Sequence, residues 1–210
     1  MSATIAGVRG LGAPTSEAGR AAAVASPDLV LIDHAHCERK AAGAALQMMF
    51  RYPSDGDLAL ALSALAREEL EHFERVLALL QRRGIGLRPL PAPAYGARLA
   101  AAVRRDEPQR MLDGFLVAGL IEARSHERMA LLARHSPDPD LRHLYGDLLA
   151  SEARHFGLYW VLAEQRFGRA ATLERLDRLA AVEGEALAGD AAGSGAVRMH
   201  SCGITAAECP

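Results

Sequence analysis

Four glutamates and two histidines recur in this chain at a spacing that suits metal chemistry. A lone glutamate, Glu38 or Glu122, is followed about thirty residues later by Glu-x-x-His, as Glu69 with His72 or Glu152 with His155. The separations are 31 residues from Glu38 to Glu69 and 30 from Glu122 to Glu152. Stepping by three or four residues, as a helix face does, the first stripe reads Leu31, Ala35, Glu38, Ala42, Ala45, Met49 and the second Leu58, Leu62, Leu65, Glu69, His72, Val76, Leu79. The third reads Met111, Phe115, Ala118, Glu122, Ser125, Met129, Leu132 and the fourth Leu141, Tyr145, Leu148, Glu152, His155, Tyr159, Leu162. Each apolar stripe carries a carboxylate near its middle. An unpaired carboxylate in such surroundings costs several kcal/mol, so it is protonated, paired with a cation or bound to metal. The inner stripes hold no lysine or arginine, which leaves metal as the simplest answer.

Four long helices must position these residues. Helical periodicity predicts the first from Pro27 to Phe50, with Ser26 as N-cap and Pro27 at the first helical position. The breaker Tyr52-Pro53-Ser54-Asp55-Gly56 follows, and a second helix is expected from Asp57 to Arg83, stopped by Gly84. A crossover from Gly84 to Ala94 leads to a short helix over Gly96 to Arg105. The third long helix spans Pro108 to His135, and the fourth spans Asp140 to Phe167 after the turn Ser136-Pro137-Asp138-Pro139. A fifth, Ala171 to Ala188, reads as a packing appendage. The helix limits put Glu38 and Glu69 at one height in their hairpin, and Glu122 and Glu152 at one height in theirs.

Two hairpins, one long crossover and this ligand set together describe an all-α, ferritin-like four-helix bundle with an additional C-terminal helix. Two lone glutamates plus two Glu-x-x-His units form the dimetal carboxylate site of such bundles. Four carboxylates balance two divalent ions, and mixed imidazole and carboxylate ligation suits iron or manganese better than calcium or zinc. Among neighbours, His34 and His36 lie within a turn of Glu38, where either could hydrogen-bond a ligand. Glu68, Glu71 and Glu74 fall off the inner stripe and read as solvated. His126 and Glu127 read as close to the site or at the surface, and Tyr145 and Tyr159 as core.

At 210 residues the chain suits one domain: a flexible segment over 1–26, the bundle over 27–188 and a small, polar, disordered tail over 189–210. The mean hydropathy is +0.02, and no apolar run reaches the roughly eighteen residues that span a bilayer. No signal-peptide core is visible in residues 1–26, so the expectation is a cytoplasmic protein without a membrane partner. Cys37, Cys202 and Cys209 match neither a zinc spacing nor a disulfide framework, although the two in the tail could pair. A net charge of −2 excludes a uniformly basic surface but leaves room for a local patch. Lys40 is the only lysine.

The segments His34-Ala-His-Cys-Glu-Arg-Lys-Ala-Ala42, Arg67-Glu-Glu-Leu-Glu-His-Phe73, Ile121-Glu-Ala-Arg-Ser-His-Glu-Arg128 and Ser151-Glu-Ala-Arg-His-Phe156 resemble those of the tRNA 2-methylthio-N-isopentenyladenosine hydroxylases, the MiaE family. The resemblance covers about Pro27 to Phe167. It implies a non-haem di-iron monooxygenase, with two iron ions cycling between ferrous and ferric and dioxygen as cosubstrate. Such an enzyme hydroxylates the isopentenyl group of a modified adenosine beside the anticodon, with two electrons from an external reductase or ferredoxin. By position the ligands would be Glu38, Glu69, His72, Glu122, Glu152 and His155. Met111, Phe115 and Ala118 are candidates for an apolar channel wall. Arg82, Arg83 and Arg88 before the crossover, with Arg104, Arg105 and Arg110 after it, are candidates for tRNA phosphate contacts. A monomer or small oligomer is expected. The alternatives are an iron- or peroxide-handling protein of the ferritin or rubrerythrin type, the latter without its rubredoxin-like cysteine pairs, and a di-iron oxygenase of another substrate.

Overall fold

The computed structural model describes residues 11–191 and 197–200. In order, α1 spans Glu17–Ala25, α2 Pro27–Arg51, α3 Gly56–Arg82, α4 Ala94–Ala101, α5 Gln109–His135, α6 Pro139–Phe167 and α7 Arg169–Ala191. The hairpins α2–α3 and α5–α6 form the ferritin-like bundle, and the described residues contain no strand.

Local chemistry sets the ends of these helices. Asp55 caps α3 by accepting from the Leu58 amide at 2.9 Å. Asp138 caps α6 by accepting from the amides of Asp140 at 2.9 Å and Leu141 at 3.3 Å. Gly84, with φ +68°, closes α3: its amide donates to Gln81 at 3.0 Å while Ile85 donates to Leu80 at 2.9 Å. That pair of bonds is the Schellman closure, which needs the left-handed backbone that glycine adopts without strain. Ser26 stands at the N-cap position of α2, but its side chain makes no capping bond.

The crossover runs the length of the bundle. At one end Arg83, just past α3, donates to Asp138 in the α5–α6 turn at 2.5 Å. At the other end, Tyr52 in the α2–α3 turn donates to Glu107, just ahead of α5, at 2.8 Å. The short helix of the crossover begins and ends earlier than the predicted Gly96 to Arg105, at Ala94–Ala101, burying Tyr95 and Leu99.

Two apolar clusters fill the bundle. One holds Leu58, Leu62, Leu65, Phe115, Leu120, Tyr159 and Leu162 and continues outward to Leu176 and Leu179 of α7. The other holds Leu31, Ala35, Val76, Leu79, Met129, Leu132, Tyr145 and Leu148. The six predicted ligands occupy the layer between them.

Two expectations about the chain ends need correction. Within the segment read as a flexible lead-in, Glu17–Ala25 is a helix whose N-cap Ser16 accepts from the Gly19 amide at 3.0 Å. Thr15 donates to Glu127 through its amide at 2.7 Å and its hydroxyl at 2.6 Å. A Cβ on Gly12 would meet the Ala180 carbonyl at 2.1 Å, so this close approach to α7 requires glycine. Within the segment read as a disordered tail, α7 continues to Ala191, and the Met199 amide donates to buried Asp33 at 2.8 Å. Short polar stretches order here because buried side chains await their backbone groups, a tertiary demand that local composition does not reveal. Residues 1–10, 192–196 and 201–210, including Cys202 and Cys209, lie outside the described residues.

The anchor for these outer segments is Arg124, which is wholly buried on α5. Its guanidinium donates to Glu183 of α7 at 2.8 and 2.9 Å, to Glu127 at 2.7 Å and to the Ala13 carbonyl at 2.7 Å. Glu183 also accepts from the Tyr95 hydroxyl at 3.0 Å and the Gly12 amide at 3.2 Å.

Candidate metal centre

α2 supplies Glu38, α3 supplies Glu69 and His72, α5 supplies Glu122, and α6 supplies Glu152 and His155. All six are buried, with 1–5% of their surface exposed. In the two Glu-x-x-His units the three-residue step sets both side chains on one helix face.

Both histidines aim Nδ1 inward. His72 Nδ1 lies 3.4 Å from Glu38, 3.4 Å from Glu152 and 3.8 Å from Glu69. His155 Nδ1 lies 2.7 Å from Glu69 and 3.9 Å from Glu122. The imidazole rings are stacked with centroids 5.5 Å apart. One ligand atom from each of Glu69, His72, Glu152 and His155 falls within 4.8 Å of the others, so this cluster could hold a metal ion. If two metal ions bind, Glu38 with His72 and Glu122 with His155 would form two half-sites, with the carboxylates of Glu69 and Glu152 between them.

The donor set passes a direct test of fit. Nδ1 of His72, Nδ1 of His155, Oε1 of Glu69 and Oε1 of Glu152 are buried without a hydrogen bond of adequate geometry. Buried polar atoms are costly when unpartnered, and these four point at one another's neighbourhood, where a cation satisfies them together. The electrostatics agree. Burial pushes the Glu69 carboxyl up to about 8, against the pull of His155 and with the help of Glu38. Burial and then the charges of Glu69, Glu152 and Glu38 push Glu122 up as well. Burial alone would lower His72, but the facing carboxylates of Glu152 and Glu38 carry it up to about 10. For Glu38, burial is outweighed by His34 and His72, and its carboxyl sits well below the ordinary range. Protons are thus unevenly shared in a crowded acidic layer, the condition that bound cations relieve.

The surroundings differ in part from the sequence expectation. His34 touches Glu38 directly through Nε2, whereas His36 turns away to the Arg88 carbonyl at 2.8 Å. Glu68 was expected to be solvated but bonds His155 Nε2 at 3.1 Å. It sits at the edge of α3 that faces α6, where a stripe count centred on the bundle axis does not reach. Glu127 belongs to the Arg124 cluster, away from the ligands. Tyr145 lies tilted against His34 with ring centroids 5.4 Å apart, and Tyr159 is buried against α5.

The candidate substrate residues separate into groups. Phe115 is fully buried, with the Arg166 guanidinium 5.8 Å from its ring centroid. Ala118 is partly buried beside the same apolar cluster. Met111 reaches an open depression bordered by residues 51–57. The arginines do not form one patch. Arg82 and Arg83 stand at the α5–α6 turn end, and Arg104 and Arg105 at the α2–α3 turn end, about 40 Å apart along a 27-residue helix. Arg83 pairs with Asp138, while Arg104 and Arg175 enclose buried Asp113. The crossover separates in space what it joins in sequence.

A groove of about 510 Å³ between α3 and α6 was not anticipated. Arg67, Glu68, Arg75, Asp147 and Arg154 flank it, and His72 lies at its floor.

Comparison with known proteins adds independent support. A family model described as "tRNA-(MS[2]IO[6]A)-hydroxylase (MiaE)" matches residues 8–201. A tRNA 2-(methylsulfanyl)-N(6)-isopentenyladenosine(37) hydroxylase of Pseudomonas putida KT2440 is 46% identical over 165 residues, covering 79% of this chain and 80% of that protein. The protein of that name from Salmonella typhimurium LT2 is 43% identical over 101 residues, 48% of this chain and 37% of the relative. A solved structure, "Protein 43 with aldehyde deformylating oxygenase activity from Synechococcus", is similar at 66% identity with a TM-score of 0.88, covering 94% of this chain and 98% of that one. With a ferritin-like bundle, a buried layer of glutamate and histidine, and a match that spans nearly its whole length, this chain belongs to the MiaE family.

Proposed function

We propose that this chain is a tRNA-modifying non-haem di-iron monooxygenase. It hydroxylates the isopentenyl group of (methylthio)isopentenyladenosine next to the anticodon, using dioxygen and two external electrons. The observation that supports this reading is the buried cluster of four glutamates and two histidines, of which Glu69, His72, Glu152 and His155 could hold a metal ion, in a chain matched by the MiaE model over residues 8–201.

Glu38 and His72 would hold one iron, Glu122 and His155 the other, and Glu69 and Glu152 would be shared between them. When bound, the two irons supply the activation of dioxygen, one oxygen atom entering a C–H bond and the other leaving as water with two electrons and two protons. The four carboxylates offset the charge of two ferrous ions. The apolar clusters on either side exclude water, which strengthens every electrostatic contact inside the layer. From Glu122, Ala118, Phe115 and Met111 follow along α5 toward the bundle end, the line of small and apolar residues that an apolar prenyl tail would suit. Exposed Arg82 and Arg105 remain candidates for phosphate contacts, one at each end. No helix among the described residues is long and apolar enough to cross a membrane. A cytoplasmic monomer or small oligomer served by an external reductase or ferredoxin fits this substrate.

A second reading has one specific observation in its favour. The solved relative at 66% identity is named for aldehyde deformylating oxygenase activity, so an aldehyde is the competing substrate for the same metal layer. The two readings separate in parallel incubations with iron, oxygen and a reductant, one with prenylated tRNA and one with an aliphatic aldehyde. Nucleoside mass spectrometry is expected to show the prenylated adenosine gaining one oxygen atom. Unchanged tRNA beside a consumed aldehyde would overturn the tRNA assignment and leave the di-iron oxygenase in place.

A further inference from the structure

The two half-sites share a ligand pattern but not their supports. His34 is wholly buried on α2, one turn before Glu38, with its Nε2 against Glu38 Oε1 and its ring 5.4 Å from that of Tyr145. Glu38 Oε2 is the oxygen that faces His72 Nδ1, at 3.4 Å. One carboxylate oxygen is therefore tied to His34, and the other is presented to the metal layer. Glu122 has no comparable contact among the described residues.

The imidazoles show the opposite arrangement. Glu68 Oε2 accepts from His155 Nε2 at 3.1 Å and from Arg154 Nη2 at 3.0 Å. A proton held on Nε2 leaves the lone pair of Nδ1 directed at the metal layer. His72 lies at the floor of the α3–α6 groove, and no side chain among the described residues hydrogen-bonds its Nε2. In the first half-site the carboxylate is fixed, and in the second the imidazole is fixed.

We propose that His34 and Glu68 are positioning residues, one for each metal, so that the two metal positions are supported independently and by different devices. This rests on the dimetal reading above. Losing an outer partner of a metal ligand typically weakens binding 10–100-fold. His34 acts on the position of Glu38 and His72, and Glu68 on that of Glu122 and His155.

The test is an anaerobic titration of metal-free full-length protein with Co²⁺, followed by visible absorption and calorimetry. His34→Leu keeps the buried volume without the N–H, and Glu68→Ala lies at the surface, so both are expected to fold; thermal unfolding of the metal-free proteins verifies this. Each variant is expected to keep one equivalent at wild-type affinity and to bind the other 10–100-fold more weakly. The double variant is expected to bind both weakly, and Glu68→Gln, which retains an acceptor for Nε2, to stay within about threefold of wild type. Wild-type affinity in both single variants overturns the proposal, as does a double variant that keeps one tight equivalent. Fewer than two equivalents on the wild-type protein overturns the dimetal reading itself, a failure distinct from that of the two supports.

Discussion

The α2–α3 and α5–α6 hairpins carry the same three-residue pattern of two glutamates and a histidine at nearly the same separation, yet almost nothing else about them matches. Polar burial on α2 is concentrated close to the ligands, at Asp33, His34, His36 and Glu38. On α5 it extends away from them, through Asp113, Arg124, Ser125 and Arg128. The reason is what covers each helix. α7 lies over the second hairpin, packing on α4, α5 and α6, and Arg124 meets Glu183 there. The repeated part answers to the buried glutamate and histidine layer, whose members stand at equal heights and face inward. The unrepeated part answers to whatever packs outside.

This comparison can be broken most severely at the shared ligands. Glu69→Ala or Glu152→Ala removes a carboxylate that approaches both half-sites, and iron analysis after anaerobic reconstitution is expected to show stoichiometric binding abolished. Glu38→Ala or Glu122→Ala is expected to spare about one equivalent. Full iron in the Glu69 and Glu152 variants would show the two hairpins to be alike for some reason other than metal.

The next effect belongs to the second hairpin alone. Arg124→Met leaves Glu183 buried without its cation, a loss of about 3–5 kcal/mol to be read from urea unfolding of metal-free protein. A change below 1 kcal/mol would mean that the outer layer contributes little to holding α5. Asp113→Asn is expected to cost about 1–3 kcal/mol near neutral pH by disrupting the bonds from Arg104 and Arg175. Burial would raise the Asp113 carboxyl, but the two arginines outweigh it and hold it below its usual value. The folded state therefore gains stability above the unfolded value of about 4 and loses it as pH falls through the lower folded value. The gap between wild type and variant, measured by unfolding at a series of pH values, should narrow on acidification; a gap that widens would reverse the assignment. The smallest effect is at the rim of the groove, where Arg75 meets Asp147 at 3.0 Å in the open. Arg75→Ala is expected to change stability by less than about 1 kcal/mol.

Much of this architecture was legible in residue order because period and spacing are local properties. The four glutamates and two histidines interrupt apolar stripes at intervals that survive any small error in helix limits, and glycine or capping aspartate marks several of those limits. Glu68 was not legible: its partner lies on α6, and a single helix cannot show which neighbour its flank faces. The arginines around the crossover are the complementary case, being close in sequence and a bundle length apart in space. Ser16 to Ala25 offers a cap and alanines but no apolar stripe strong enough to announce a packed helix. The residues just ahead of it, Ala13 and Thr15, are held by Arg124 and Glu127, more than a hundred residues away.

The Arg124 cluster also bears on how this bundle can be passed between proteins. Arg124 with Glu127 on α5 and Glu183 on α7 collects Gly12, Ala13 and Thr15 from the first described segment and Tyr95 from the crossover. A graft or gene fusion that carried only the four long helices would bring along Arg124 with Glu127 but without Glu183, its partner on α7. The transferable unit is therefore longer than its metal layer requires, and its two outer segments have to be inherited together.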